Sequence, residues 1–584
     1  MDGKWDLSYL YQSFDDEQFH ADLARLPEMI QEQKAIVENT SLTDLAKLEQ
    51  LADSMQALSI LADRVGSFIF LTIAVDSGNT TAYLYGDKFE LIMNDASLVE
   101  SAITRYVGSV ENLEEIIASS AKLQPIAFAL KEMVDACKHT IGPELEPWVL
   151  QMQLSGGSAF SQLREKLDAT HTVEYRGETL PLPAVRGMAY DADASVRKDA
   201  YEAEIASYKK MEMPMSYCLN AIKMEARTLA KMKGYDSVLD MTLSNSRMDR
   251  ETLEAMICAM KEYLPHFRRY MKAKAKLLGH QNGLPFYDLF APVGSASRTF
   301  TIEECREKLM AELGKFNPEM AAFVDNAFQQ KWIDVYPREG KSGGAFCAGV
   351  HYADRSLVMT NFQGSFSDVS TVAHELGHAW HNRCLAGLPY ALINTPMPLA
   401  ETASIFNETI LAHEVLKTAT TEEQLTLLDA TLIESTQTIV DILSRYLFET
   451  EVIDTRADHA MTVDELKACM LRAQDATYGD GLDPEIRHPY MWACKSHYYS
   501  SGLNFYNFPY AFGELFGKGV FAQYLEKGSA FVPAYNQLLR SCGSAPVADV
   551  AMSVGIDVRS PEFWRSSLEI IKGEIDKFCS LCGE

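Results

Sequence analysis

The chain has 584 residues, of which 47 % are hydrophobic, and it carries a formal net charge of −28. A chain of this length can bury a substantial core and form several domains or one large body. The acidic balance, without a basic patch, disfavours nucleic acid and anionic membranes as partners, because both attract positively charged surfaces. The apolar runs are too short or too interrupted to predict a helix that spans a bilayer.

Helix-length periodic patterns dominate the first quarter of the chain. They predict helices over residues 15–38, 42–71, 81–107 and 112–139. Residues 172–182 interrupt the helical pattern with two β-favouring runs around Arg176 and Gly177, which predicts a hairpin. Helical patterns then resume. The interruption predicts a boundary, placed to within about 20 residues, between an N-terminal helical lobe (1–185) and a catalytic lobe (186–584).

Residues 349–361 predict a second hairpin, because β-favouring runs flank a charged turn. The edge of such a strand can pair with an extended peptide through main-chain hydrogen bonds. A plain structural hairpin is an equally good interpretation of the pattern. His351 within it is interpreted as a surface residue rather than a metal ligand.

Residues 374–378 match the H-E-x-x-H pattern of zinc hydrolases. On an α-helix, His374 and His378 lie one turn apart on the same face, so both imidazoles can bind one ion. Zinc in such a site lowers the pKa of a water molecule to about 7, and Glu375 is placed to take its proton. The pattern therefore predicts an enzyme.

The sequence around this motif predicts a buried helix that begins at Ser367 or Asp368 as its cap. Gly377 is unusual inside it, because a glycine in a helix costs about 1 kcal/mol relative to alanine. Either another backbone approaches closely there, or the cost is simply tolerated.

A catalytic zinc site needs a third protein ligand. The extended histidine pattern would require glycine at 381 and histidine at 384, but the chain has His381 and Cys384. Residues 399–414 predict an amphipathic helix that carries Glu401 and Glu408 on one face. One of these carboxylates can bind the metal while the other orients a ligand histidine. Spacing alone does not rank the two.

Residues 492–510 combine one histidine and four tyrosines with glycine and proline in a single loop. Peptide hydrolysis through a tetrahedral intermediate needs hydrogen-bond donors for the developing oxyanion, and losing one costs on the order of 3 kcal/mol. Histidine and tyrosine side chains can both donate. Aromatic packing is the alternative interpretation of these tyrosines.

These motifs together resemble one family. The run at 374–378 followed by residues 401–408 is similar to the thimet-oligopeptidase-like metallopeptidases, and specifically to their oligoendopeptidase F branch. The resemblance covers nearly the whole length, because it extends to residues 5–11, 342–347, 361–364 and the tyrosine-rich loop. It implies a mainly α, bilobed metallopeptidase that encloses a deep substrate channel, with a small β-sheet next to the zinc helix.

The resemblance also implies roles for the candidate residues. Glu401 would be the third zinc ligand beside His374 and His378, which leaves Glu408 as a candidate for orienting a ligand histidine.

In the tyrosine-rich loop, the resemblance implies that His497 and Tyr510 stabilise the tetrahedral intermediate and that Tyr506 contacts the substrate. An alternative register exchanges the roles of the two tyrosines.

The sequence as a whole predicts a zinc metalloendopeptidase with one zinc ion per chain, which hydrolyses internal bonds of short oligopeptides. Glu375 would act first as a base and then as an acid. A zinc carboxypeptidase-type hydrolase and a non-catalytic helical peptide-binding protein are the alternatives, although the latter would not need Glu375.

Eleven scattered cysteines, and an acidic start without an apolar block, predict a cytoplasmic protein with free thiols. Oligopeptides are the expected partners. The sequence leaves open the cleavage-site preference and the length limit of the substrate. It also leaves open the oligomeric state, for which a monomer is compatible with the sequence.

Overall fold

The computed structural model describes residues 3–142, 144–294 and 299–584. Helices account for 71 % of the structure, and the described strands form one sheet of two strands and one of three. The predicted mainly α class is therefore confirmed.

The chain folds into two compact units, and each of them combines segments that are far apart in sequence. Unit 1 comprises Met1–Thr140, Ser297–Glu414 and Gln523–Gly555, and unit 2 comprises Ile141–Ala296, Val415–Ala522 and Ile556–Glu584. This division differs from the predicted lobes 1–185 and 186–584. The predicted boundary rested on a local interruption of the helical pattern, whereas compactness depends on packing between distant segments.

The helices that lie wholly or mainly in unit 1 are Glu17–Glu38, Asp44–Val75, Thr80–Ser109, Leu113–Ser119, Ala127–Lys138, Ile302–Phe316, Pro318–Gln329, Phe366–Leu385, Met397–Ala400, Thr402–Thr418, Val532–Ser541 and Val547–Met552. The first three confirm the predicted helices with small shifts at their ends. The prediction of one helix over residues 112–139 is wrong, because the chain turns after Ser119 and forms the short 3-10 helix Gln124–Ile126. Pro125 has no N–H for a helical hydrogen bond and restricts the residue before it.

The helix Asp44–Val75 is long and apolar enough, by length and composition, to cross a membrane, which differs from the expectation of interrupted apolar runs. One third of its most apolar window (33 %) is buried. Its buried side chains, such as Leu48 and Val65, lie in the core of unit 1, where the helix packs against Glu17–Glu38 and Thr80–Ser109. Core helices of globular proteins share this length and composition.

The second predicted hairpin is confirmed in unit 1. Phe346–Val350 pairs antiparallel with Arg355–Met359, which also pairs in parallel with the short strand Ile333–Asp334. Asp354 makes the turn with a left-handed backbone (φ 49°). Both hairpin strands pack against the helix Phe366–Leu385, which confirms the small sheet next to the H-E-x-x-H helix. Phe346–Val350 lies at the edge of the described sheet, and its pairing with a peptide stays a prediction.

The helices of unit 2 are Glu146–Ser155, Gly157–Thr170, Leu182–Gly187, Ala194–Tyr208, Glu212–Met232, Val238–Asn245, Arg250–Leu277, Thr421–Ser435, Ile442–Thr455, Val463–Thr477, Met491–Cys494, Phe508–Lys527 and Pro561–Leu581. The first predicted hairpin is confirmed as the strands Thr172–Tyr175 and Glu178–Pro181. Its two turn residues, Arg176 and Gly177, both have positive φ, as a type I′ turn requires.

Candidate active site

The H-E-x-x-H motif lies on the buried helix Phe366–Leu385. Ser365, rather than Ser367 or Asp368, caps its N-terminus: the Ser365 hydroxyl accepts a hydrogen bond from the Asp368 N–H (3.1 Å), and the Asp368 carboxylate accepts one from the Ser365 N–H (2.9 Å). This reciprocal pair satisfies two backbone donors at the helix start. The cap fixes the residue at which the helix begins.

His374, His378 and Glu401 come together in unit 1 as a set of three possible metal ligands. The Nε2 atoms of the two histidines are 3.2 Å apart, and Oε2 of Glu401 is 3.3 Å from each of them. Tetrahedral zinc with ligand bonds of about 2.0–2.1 Å requires ligand atoms about 3.3 Å from one another. The donor set therefore fits zinc in both its chemistry and its spacing.

Glu408 contacts His374 at Nδ1, the ring nitrogen opposite the one near Glu401. Its Oε1 accepts a hydrogen bond from Nδ1 of His374, and its Oε2 accepts one from the Ser370 hydroxyl at 3.3 Å. A carboxylate at Nδ1 fixes the ring and keeps Nε2 directed at the metal position. Glu401 is oriented in turn by the Ser404 hydroxyl, which donates to Oε2 at 2.7 Å.

The charges of this cluster shift its pKa values strongly. Burial alone would lower the pKa of His374, but its hydrogen bonds to Glu401 and Glu408 raise it to about 10. Burial would raise the pKa of Glu401, but both histidines hold it far below its usual range. Because a metal ligand must be deprotonated, zinc would replace a proton on His374 when it binds.

Glu375 is 5 % exposed and follows His374 on the same helix. Burial raises the pKa of its carboxyl above the usual value, and the neighbouring histidines reduce that shift. A carboxyl with a raised pKa exchanges protons more readily near neutral pH, as a general base and acid should.

Gly377 lies where the backbone of a second segment meets the H-E-x-x-H helix. A Cβ added at this glycine would lie 2.4 Å from the carbonyl oxygen of Ala403 and 2.6 Å from Cα of Ser404. The Asn407 side chain also donates to the Ala373 carbonyl at 3.1 Å. The glycine is therefore explained by close backbone approach, which brings Glu401 to the histidine pair.

Replacing Gly377 with alanine is expected to destabilise the protein by about 1–3 kcal/mol, the range for overpacking a close contact, and to weaken zinc binding. Thermal unfolding with and without zinc measures both effects. Gly573→Ala is the matched control, because a Cβ at that helical glycine meets nothing within 4 Å. Equal behaviour of the two variants would contradict the packing argument.

The residues that break the extended histidine pattern have other roles. His381 donates through Nε2 to the Leu539 carbonyl at 3.1 Å, and burial lowers its pKa to about 4. Burial raises the pKa of the Cys384 thiol to about 12. Both side chains therefore stay neutral, and His381 is buried in unit 1.

The predicted loop residues His497, Tyr506 and Tyr510 form a cluster in unit 2. The centroid of the His497 ring is 5.5 Å from that of Tyr506 and 6.1 Å from that of Tyr510, and the two tyrosine rings are 5.5 Å apart. Burial, together with the positive charges of Arg445 and Lys495, lowers the pKa of His497. The histidine is therefore neutral at physiological pH, with one ring nitrogen that donates.

A buried polar network anchors this loop, and sequence analysis missed it. Lys223 forms an ion pair with Glu449 at 2.7 Å and donates to Asn504 at 3.0 Å. Glu449 also accepts from the Phe505 N–H (3.0 Å) and the Asn507 side chain (2.9 Å). These bonds hold Phe505 in a left-handed conformation (φ 52°), directly before Tyr506. No local sequence pattern indicates this network, because Lys223 is 226 residues from Glu449 and 281 residues from Asn504.

A histidine pair and a carboxylate at zinc-ligand spacing, beside a buried glutamate, form the type of site found in metal-dependent hydrolases. The sequence profile of peptidase family M3 matches residues 187–570. The chain therefore belongs to peptidase family M3 and is a metallopeptidase, which confirms the predicted family resemblance.

Two relatives illustrate the similarity. The chain is 23 % identical over 514 residues to oligopeptidase PepF of Bacillus subtilis (strain 168), covering 86 % of this chain and 76 % of that protein. It is 27 % identical over 387 residues to an oligoendopeptidase F homolog of Lactococcus lactis subsp. lactis (strain IL1403), covering 65 % and 63 % respectively. The second alignment thus spans less than two thirds of that relative.

Solved structures have the same fold. A crystal structure of a protein assigned as a peptidase in Chlamydophila abortus has a TM-score of 0.86 at 21 % identity and covers 99 % of this chain and 98 % of that one. Oligoendopeptidase-F from Enterococcus faecium has a TM-score of 0.71 at 18 % identity, covering 97 % and 99 %.

Proposed function

We propose that this chain is a zinc-dependent endopeptidase with one zinc ion, and that it hydrolyses internal bonds of short oligopeptides. The observation that carries the proposal is the triangle of donor atoms on His374, His378 and Glu401, whose edges of 3.2–3.3 Å suit tetrahedral zinc. The membership of family M3 and the names of the relatives, oligopeptidase and oligoendopeptidase, support the same substrate class.

When bound, zinc would supply a Lewis acid that lowers the pKa of a water molecule and polarises the peptide carbonyl. Glu375 takes the proton of the attacking water and later gives it to the leaving amine, so that one carboxyl serves as base and then as acid. Glu408 keeps the His374 ring oriented throughout. His497 and the two tyrosines of its cluster supply donors for the developing oxyanion and for the substrate backbone.

Cleavage of a peptide of about eight residues, blocked at both ends and internally quenched, tests this function. We expect internal cleavage that a chelator abolishes and that stoichiometric zinc restores. An exopeptidase needs a free terminus, so cleavage only after the ends are unblocked would indicate a carboxypeptidase instead. Tight binding without cleavage by zinc-loaded protein would indicate a peptide-binding protein.

Two conservative variants distinguish the roles of the tyrosines. Tyr510→Phe is expected to lower kcat by about a hundredfold or more, the usual loss for one oxyanion donor. Tyr506→Phe is expected mainly to raise KM, because a substrate contact acts in the ground state as well as in the transition state. Steady-state kinetics on the blocked peptide measures both values.

Tyr217→Phe is the control for these variants, because Tyr217 is an exposed tyrosine (69 %) in the same unit. The opposite pattern, with kcat lost in Tyr506→Phe, would assign the oxyanion role to Tyr506. Unchanged kinetics in both variants would contradict the proposed role of the cluster.

A further inference from the structure

A cavity of about 530 Å³ in unit 2 is lined in part by His497 and Tyr506. One wall is the helix Gly157–Thr170, and the other is formed by residues 496–506. The Ser161 hydroxyl donates to the Tyr499 carbonyl at 2.5 Å, which ties the two walls together. A peptide that contacts His497 and Tyr506 therefore has this cavity directly beside it.

Arg164 lines the cavity and is only 5 % exposed. Its Nε is buried without a hydrogen-bond partner among the described residues. Arg164 forms an ion pair with Asp168. The distance from Nη2 of Arg164 to Oδ2 of Asp168 is 3.6 Å, which is beyond hydrogen-bond distance. The guanidinium also lies 5.4 Å from the centre of the Tyr499 ring. Arg164 thus lies beside an aromatic ring and a nearby charge, while its Nε–H stays without a hydrogen-bond partner among the described residues.

A buried guanidinium with an unpaired N–H is costly, because the hydration of that group is lost without replacement. Asp168 offsets part of the charge, and Glu165 places a further, exposed carboxylate on the wall. Asp168 lies beyond hydrogen-bond distance, and the buried Nε–H of Arg164 has no partner among the described residues. Other serine hydroxyls line the same cavity and add neutral donors: Ser158, Ser496, Ser500 and Ser501.

We propose that this cavity binds a carboxylate of the peptide substrate through Arg164. The planar fork of a guanidinium matches a carboxylate in a bidentate arrangement, and such charge-assisted bonds are among the strongest in proteins. The proposal rests on the proposed peptidase function, because it gives the His497 and Tyr506 cluster a neighbouring subsite. The carboxylate belongs either to the C-terminus of the peptide or to an Asp or Glu side chain.

Binding to zinc-loaded, full-length Glu375→Gln protein tests the subsite without requiring turnover. The probes are one fluorescent octapeptide without acidic residues as the free acid, the same peptide as the C-terminal amide, and amides with a single Glu at each position in turn. We expect one carboxylate-bearing peptide to bind at least about tenfold more tightly than the plain amide. The free acid identifies the C-terminus as the source, and a Glu-containing amide identifies a side chain.

Adding Arg164→Gln should remove this difference, so that the carboxylate peptide binds no better than the amide. Arg164→Lys retains the positive charge but not the planar guanidinium, so it should retain only part of the difference in affinity. This variant also tests the proposal if Arg164→Gln fails to fold. Lys166→Gln is the matched control, because it removes the same charge from an exposed position of the same helix.

A carboxylate preference that survives in both Arg164 variants, or the lack of any such preference in the Glu375→Gln protein, would overturn the proposal. Failure of the wild type to cleave any of these peptides would contradict the peptidase function instead. The two results are separate, because the binding measurement does not depend on catalysis.

Discussion

Replacing Glu375 with glutamine is expected to reduce turnover at least about a hundredfold while the zinc content stays unchanged. General acid–base catalysis typically contributes about 10²–10⁴-fold, and glutamine cannot accept the proton of the attacking water. The side chain is 5 % exposed, and the substitution retains its size. Glu375 is also absent from the set of metal-ligand atoms on His374, His378 and Glu401, so the metal site should remain intact.

Single-turnover kinetics on the blocked peptide, with zinc quantified in the same samples, measures this effect. Glu307→Gln is the matched control, because it makes the same change at an exposed position of unit 1. Near-normal turnover in zinc-replete Glu375→Gln protein would remove Glu375 from the mechanism. Loss of zinc from that variant would instead indicate a role in metal binding.

The H-E-x-x-H helix and both hairpins could be predicted from the sequence because their signals are local. Two histidines four residues apart share a helical face wherever the helix lies, and the Arg176 and Gly177 turn pairs two adjacent strands. The role of Gly377 was left open, because the residues that approach it, Ala403 and Ser404, are remote in sequence.

The choice between Glu401 and Glu408 could not be made from spacing, because the predicted helix over 399–414 is not one helix. The short helix Met397–Ala400 ends at Glu401, which has φ −87° and ψ 3°, and the helix Thr402–Thr418 follows. Glu401 therefore lies at a junction between helices, where a periodicity of 3.6 residues does not determine its direction. Only the structure places its carboxylate at Nε2 of both histidines and that of Glu408 at Nδ1 of His374.

The polar network under the tyrosine-rich loop shows a second limit of sequence interpretation. Lys223 and Glu449 are 226 residues apart, and Asn504 is 281 residues from Lys223. No local pattern relates residues at such separations. The predicted boundary near residue 185 differs from the observed units for the same reason, because each unit is assembled from three distant segments.

Replacing Glu401 with alanine is expected to remove zinc from the purified protein and to abolish cleavage of the blocked peptide. The variant retains only two of the three donor atoms that lie 3.2–3.3 Å apart, whereas catalytic zinc sites use three protein ligands. The loss of affinity should exceed the 10–100-fold that is typical when a residue orienting a ligand is removed. Zinc content after dialysis and competition with a chelator measure it.

Glu408→Ala is the informative comparison, because Glu408 contacts His374 only through Nδ1. This variant should bind zinc about 10–100-fold more weakly than the wild type but should be active when zinc is in excess, since all three donor atoms remain. Excess zinc should not restore the peptidase activity of Glu401→Ala to the same extent. The reverse result, in which Glu401→Ala keeps tightly bound zinc and Glu408→Ala loses it, would make Glu408 the ligand and Glu401 the residue that orients His374.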